Sequence, residues 1–473
     1  MAEVEFKMTP GFSKTQPVKP SINIGACLDI PTGAAHEGMY GETIINGGLA
    51  AVTGVVGTGN KFKSTFEHYM NLTALDRILY ATTSSYGLYD TEMNVNEQGL
   101  RRLYQRYMRL NNPDIIDNGI WEITDKVQYY ANEWFEIYKT FLNNKRKVGD
   151  KLRLDTPFLD RDGKTLMKFI IVTLQAIDSF SEFETADVAK ILDDNELGES
   201  GGNTVHMRQG LAKTRFLMEL PTLAMGAAGY TTLTAHVGKE IVMASGPMTP
   251  QPTKKLQHQK AGDKIKGVTD RFFFLMLNCW DNQAAKPLIN QGTKGAEYPR
   301  MGEDTIELDP DLNIVSTKQL RGKNGLTGYT IDLLVSQSEG ILPELTEFHY
   351  CKTNDRWGLN GSDRNYSLAL KPDVSLQRTT VRTKLQTDPA LARAMNIQSE
   401  MLQIKQFWPG FDKELMCTPQ QLFDDLKSQG YDWDQLLATR GWWTYNNDKH
   451  PIPFLSTIDL LRMRKNLYKP YWM

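Results

Sequence analysis

The chain has 473 residues, with 54 Lys and Arg against 56 Asp and Glu, a formal charge of −2. A hydrophobic share of 40% and a charged share of 23% exclude wholesale disorder. The near-neutral balance excludes a diffusely basic nucleic-acid binder while leaving room for a local basic patch.

The N-terminal MAEVEFKMTPGF has no apolar stretch of the signal-peptide kind. The longest apolar runs, Phe169 to Leu174 and Phe272 to Leu277, are far too short to cross a bilayer. Cys27, Cys279, Cys351 and Cys417 are scattered without metal-type pairing, as expected of a reducing compartment. No membrane association and a cytoplasmic location are therefore expected.

In chain order, residues 1–45 carry Pro10, Pro17, Pro20 and Pro31 and read as an N-terminal arm or lead-in. Residues 46–385 read as an α/β core. It opens with LAAVTGVVGTGNKFKSTFEHYM: a short apolar run, a glycine-rich turn, then a helix. A second apolar run, RILYATTSSYGLYDTEMN, ends on acidic residues, and amphipathic helices over 97–145 predict a helical insertion near 97–150. MKFIIVTLQAIDSF predicts a strand ending at Asp178, VHMRQGLAKTRFLMELPTLAM a helix, and 230–236 and 270–278 further strands. This alternation predicts a mostly parallel sheet flanked by helices. The stretch 285–325 reads as connecting loops, and YTIDLLVSQS and LTEFHYCK read as β segments. Helix-start signals at Ser399, Thr418–Pro419 and Ser456 predict a small, mostly helical C-terminal domain over 386–473. It holds Trp408, Trp433, Trp442, Trp443 and Trp472 among basic residues, which serve either as core or as a stacking platform for single strands.

The sharpest chemical signal is Gly57-Thr58-Gly59-Asn60-Lys61-Phe62-Lys63-Ser64-Thr65. A strand feeding a glycine-rich turn and a helix aims several backbone N–H groups at one anion. Lys63 would reach the β- and γ-phosphates, and Ser64 would ligate Mg²⁺. Phe62 stands where the usual GxxxxGK[ST] pattern has its last glycine, at a place that often needs positive φ. Asp178, at the end of its apolar run, is the candidate to support the metal. Glu92, in YDTE, is the candidate to activate water, with Asp90 beside it.

GTGNKFKST, YDTE at 89–92, AIDS at 176–179 and TAHVGK at 234–239 together resemble RecA-like P-loop ATPases, most closely bacteriophage UvsX-type recombinases. The resemblance implies ATP and Mg²⁺ as ligands, Glu92 as catalytic base and His236 as the γ-phosphate sensor. It also implies that residues 239–271 form a DNA-binding loop, with Lys254, Lys255, Lys260, Lys264 and Lys266 as candidate phosphate contacts for single-stranded DNA. The stretch matching the other DNA loop departs from that expectation. Residues 181–199 hold seven acidic groups against Lys190 alone, although GESGGNT at 198–204, with Arg208 behind it, is compatible with DNA. QSEGILPEL lacks the basic residue that a neighbouring subunit would supply, leaving Arg378 and Arg382 as substitutes by chemistry only. The implied activity is DNA-stimulated ATP hydrolysis in recombination or repair, by a homo-oligomeric filament or ring. A ring helicase of the DnaB type and a non-catalytic RecA-fold assembly protein are the alternatives.

Overall fold

Val52–Gly57 forms a strand (β1) buried along its whole length, as a strand covered on both faces must be. The computed structural model describes residues 18–80, 82–193, 205–240, 253–300, 309–323, 325–362 and 364–473. After β1 come helix α1 (Lys63–Leu79) and strands β2 (Tyr86–Asp90), β3 (Trp121–Asp125), β4 (Thr173–Asp178) and β5 (Gly229–Lys239). Then follow β6 (Asp263–Ile265), β7 (Asn278–Pro287), β8 (Leu312–Gly322), β9 (Thr330–Ser336) and β10 (Gly340–Ile341). The spatial order is β10-β9-β8-β7-β1-β5-β4-β2-β3, with β6 beside β5. All pairings from β7 across to β3 are parallel; β8, β9, β10 and β6 are antiparallel to their neighbours. The chain is thus an α/β protein with a large, mixed, mostly parallel central sheet flanked by helices.

Alternation along the strands feeds two cores. Val55, Leu88, Leu174 and Ala176 pack with Phe66, Met70, Leu75 and Ile78 of α1. Val52, Val56, Ile177 and Leu233 pack on the other face with Trp134 and Phe135 of α2 (Ala131–Val148) and Phe216 and Leu217 of α3 (Val205–Ala227). Ile22 and Ile24 from the lead-in are fully buried in the first of these cores. Residues 1–17 of that lead-in lie outside the described residues.

Several local expectations are corrected. The insertion near 97–150 contains β3, which forms the far edge of the sheet, between helical segments. MKFIIVTLQAIDSF is two strands: Leu166–Ile170 pairs antiparallel with Arg153–Leu159, and only Thr173–Asp178 enters the central sheet. Arg271–Leu275 is a short helix, in which Phe272 N and Phe273 N donate to Thr269 O and Asp270 O. LTEFHYCK lies in helix α4 (Pro343–Thr353), started by Pro343, with Leu345, Phe348 and Cys351 buried at helical spacing. The stretch read as loops includes the long strand β8, and Ser399 lies inside helix α5 (Pro389–Phe407). Thr418 and Ser456 do cap helices, accepting from Gln421 N and Asp459 N.

The C-terminal tryptophans serve packing. Trp408, Trp433, Trp443 and Trp472 each donate their indole N–H to a main-chain carbonyl, of Ile30, Leu370, Ser21 and Phe454 respectively. Trp442 stacks against the guanidinium groups of Arg77 and Arg440. All four cysteines are free thiols. Among the described residues, no helix is long and apolar enough to cross a membrane.

One buried cation gives the fold a pH signature. Lys145 of α2 is buried and donates to Thr173 Oγ1 at 3.0 Å and Ala228 O at 3.2 Å. Burial lowers its pKa to about 7. Between that value and the ordinary 10.5 the unfolded chain binds more protons, so stability rises with pH across this window. In Lys145→Met the urea midpoint should rise less steeply between pH 7 and pH 9 than in the parent, measured by fluorescence. An unchanged slope would contradict the assignment.

Candidate functional site

The C-terminal edge of the parallel strands gathers the residues singled out in the sequence. Gly57 of β1 is in register with His236 of β5, Ile177 of β4 with Leu233 of β5, and Asp90 of β2 with Asp178 of β4. Parallel pairing places the ends of β1, β5, β4 and β2 on one side, where open α/β sheets present their ligand crevice.

The turn from β1 to α1 is tightly specified. A Cβ on Gly57 would lie 2.9 Å from Asn282 O, so glycine is required by close approach; Gly59 has nothing within 4 Å. Asn282, beyond β1 on β7, donates through Nδ2 to Lys61 O at 2.7 Å, and Thr317 Oγ1 donates to Asn282 Oδ1 at 2.9 Å. Phe66 N makes a helical bond back to Phe62 O, and no side chain caps this helix start. The first-turn N–H groups of Lys63, Ser64 and Thr65 therefore have no helical acceptor of their own, and the helix dipole favours negative charge there.

Phe62 adopts φ 54° and ψ 33°, the left-handed region that glycine enters freely, and Asn60 has φ 55°. The Phe62 ring packs, partly buried, against the α1 core. The aromatic residue thus keeps the backbone shape a glycine would supply, trading strain of about 1–2 kcal/mol for apolar contact. Phe62→Gly should leave the melting temperature within a few degrees by calorimetry and, on the expectation that this turn binds a nucleoside triphosphate, preserve that affinity within a few-fold by titration. A large loss of affinity would mean that the ring itself shapes the site.

Lys63 is 7% exposed and donates from Nζ to Thr58 O at 3.0 Å; His236 Nδ1 lies 3.5 Å away. Burial lowers its pKa, opposed by the charges of Asp178 and Glu92. His236 Nε2 is 2.9 Å from Glu92 Oε1. A proton on Nε2 donated to the carboxylate leaves the Nδ1 lone pair facing the Lys63 ammonium. Glu92, His236 and Lys63 therefore form one chain of contacts across three strand ends. Asp90 acts on the backbone instead. Its carboxylate accepts from Glu92 N, Met93 N and Val95 N at 2.8 to 3.0 Å, holding the Glu92 loop.

Asp178 is buried and accepts from the Thr234 hydroxyl. Thr91 N donates to Asp178 O at 2.8 Å and Thr91 Oγ1 to Ser179 O at 2.7 Å, tying the end of β2 to the end of β4. Among the described residues, no group of three or more His, Cys, Asp or Glu can hold a metal by itself. One hydroxyl, Ser64, and one carboxylate, Asp178, are hard oxygen donors of the kind suited to Mg²⁺, an ion that keeps water and phosphate ligands. Glu67, one turn beyond Lys63, is fully buried, and burial together with Asp178 pushes its pKa well above the usual range.

The candidate DNA residues divide. Lys255 is paired with Glu240 at 3.4 Å and Asp270 at 3.3 Å, so it is already neutralised within its own segment. Lys254, Lys260, Lys264 and Lys266 are exposed, as is Arg208 in the first turn of α3. Residues 241–252 of the loop and residues 194–204, which include all of GESGGNT at 198–204, lie outside the described residues. Arg382 is no substitute finger: it is 2% exposed and held by Asp311 at 3.3 Å and Glu339 at 2.8 Å. Arg378 donates to Ala296 O at 2.8 Å.

Ser181, whose hydroxyl accepts from His236 N at 2.8 Å, and Thr91, Thr234 and Asn282 carried no signal of their own in the sequence. Each matters through a partner on another strand. No protein-family model matches the chain, and no curated protein matches it significantly.

Proposed function

We propose that this chain is a RecA-like ATPase of the recombinase type, binding ATP with Mg²⁺ at the C-terminal edge of its sheet and acting on single-stranded DNA as a homo-oligomer. The observation that carries the reading is the chain of contacts from Glu92 through His236 to Lys63, across the uncapped start of α1. A phosphate loop, a sensor and a base candidate come from separate strands and meet where a triphosphate would lie.

In this reading the first-turn N–H groups of α1 and the Lys63 ammonium bind the phosphate oxygens. Mg²⁺, held by the Ser64 hydroxyl and supported by Asp178, would neutralise charge on the phosphates. Glu92 orients the attacking water and takes its proton as the bond between the β- and γ-phosphates breaks. His236, bonded to Glu92 and facing Lys63, registers the γ-phosphate and passes that state to the segment beginning at Lys239. The exposed Lys254, Lys260 and Lys264 of that segment neutralise DNA phosphates, which makes affinity fall as salt rises.

ATP turnover measured with and without single-stranded DNA tests the proposal. Turnover stimulated by DNA is expected; no nucleotide binding and no turnover in either condition would sink it. Imaging on single-stranded DNA with a slowly hydrolysed ATP analogue separates a recombinase filament from a helicase ring. Binding to DNA without any decline in added salt would remove the proposed role of the lysines.

A further inference from the structure

Lys266 stands apart from the other lysines of its segment. Strand β6 runs antiparallel to β5 with Ile265 opposite Val237 and Lys264 opposite Gly238. One residue further, Lys266 N donates to His236 O at 2.9 Å, so Lys266 and His236 are direct cross-strand partners. Residues opposite one another in an antiparallel pair project from the same face, with Cβ atoms about 4.5–5.5 Å apart. The Lys266 stem also lies along Gly238, two residues further along β5 on that face: a Cβ on Gly238 would be 3.2 Å from Lys266 Cγ and 3.4 Å from its Cε. Glycine at 238 is thus what lets the lysine lie flat along the strand.

The face in question is the nucleotide face, because His236 reaches Glu92 at 2.9 Å and Lys63 at 3.5 Å from it. Both lysines thus flank His236, Lys63 beside its ring and Lys266 opposite it across the strand pair, and the positive charge of Lys266 adds to the lowering of the Lys63 pKa that burial begins. Two neighbouring lysines of the segment are satisfied by carboxylates, Lys239 by Asp263 and Lys255 by Glu240 and Asp270. Lys266 itself is exposed. Two cations held near each other on the face of a crevice are arranged for a polyanion.

We propose that Lys266 is a nucleotide-contacting residue, not a DNA contact: with Lys63 it brackets the terminal phosphate of a bound nucleoside triphosphate, from the same chain. This rests on the nucleotide reading of the site. Because Lys266 is bonded through its backbone to the main chain of His236, pulling the ammonium onto the phosphate also tugs on the strand end that carries the sensor. A contact to the terminal phosphate distinguishes a triphosphate from a diphosphate, which lacks that group.

The test compares the full-length protein with Lys266→Ala and Lys266→Arg, titrating a slowly hydrolysed ATP analogue and, separately, ADP, both with Mg²⁺. Lys266→Ala should weaken the triphosphate analogue at least about tenfold and ADP less than about threefold, with Lys266→Arg recovering most of the loss. Affinity for single-stranded DNA without nucleotide should stay within about twofold in both variants. Unchanged triphosphate affinity in Lys266→Ala, beside a parent that binds the analogue, would overturn the assignment while leaving the nucleotide site standing. Loss of nucleotide-free DNA affinity would return Lys266 to the DNA set. A parent protein that binds neither nucleotide would overturn the nucleotide reading and this inference together.

Discussion

In the ATPase proposed above, replacing Lys63 with alanine is expected to lower ATP turnover by roughly 10²–10³-fold or more, as for removal of a main donor to developing charge. The variant should fold as well as the parent. Lys63 is nearly buried, and burial lowers its pKa, so the folded state holds this ammonium at a cost. Its backbone partner in the resting arrangement is Thr58 O, on a loop also anchored by Asn282. Losing both that bond and the desolvated charge leaves the melting temperature within a few degrees. Turnover and thermal unfolding of the same preparation check both halves. Full turnover in a folded Lys63→Ala protein would remove the phosphate-loop assignment, and with it the reason to read Ser64 as a metal ligand.

Glu92→Gln separates binding from chemistry. The amide keeps the size of the side chain and can still accept from His236 Nε2, which stands 2.9 Å from the carboxylate in the parent. It cannot take a proton from water. Turnover should fall roughly 10²–10⁴-fold, the range of a lost general base, while affinity for an ATP analogue changes by no more than a few-fold. Burial alone would raise the pKa of Glu92, but the hydrogen bond with His236 and the nearby charge of Lys63 outweigh it, and the net shift is downward. The basic form therefore persists through mildly acidic conditions, and its loss reduces turnover only below the ordinary 4.5. The same sign applies to stability: the contribution of the ionised Glu92 is present above its unfolded pKa and is lost as pH falls through the lower folded value. A Glu92→Gln protein with parental turnover would assign the base elsewhere.

The asymmetry between what could be read from the sequence and what could not has local causes. The β1 turn and α1 were legible because GTGNKFKST is a contiguous signal whose meaning depends on backbone shape within nine residues. The motif marked position 62 as one where glycine's conformational freedom is usual, but only the φ of 54° shows that Phe62 itself takes up the left-handed shape. Caps at Thr418 and Ser456 were legible because a capping hydroxyl bonds an N–H three residues on. β3 and β8 were missed for the opposite reason. WEITD and LNIVSTKQLRG are strands because β2 and β7 offer them hydrogen-bond partners, and those partners are distant in the chain.

The same division runs through the site. Chemistry that resides in a residue type and its nearest neighbours was available from the order of amino acids alone: the glycine-rich turn before Lys63, the carboxylates at Glu92 and Asp178, and the histidine at 236. Which carboxylate does what was decided by tertiary structure. Asp90 and Glu92 stand two apart, yet one caps its own loop and the other faces His236, because only the sheet register sets where each strand ends. The lysines between 239 and 271 looked alike in sequence; carboxylate neighbours made Lys255 an internal ion pair, and strand pairing set Lys266 opposite His236. Net charge and spacing are properties of the chain. Pairing across strands is a property of the folded sheet, and it selects which charges meet a ligand.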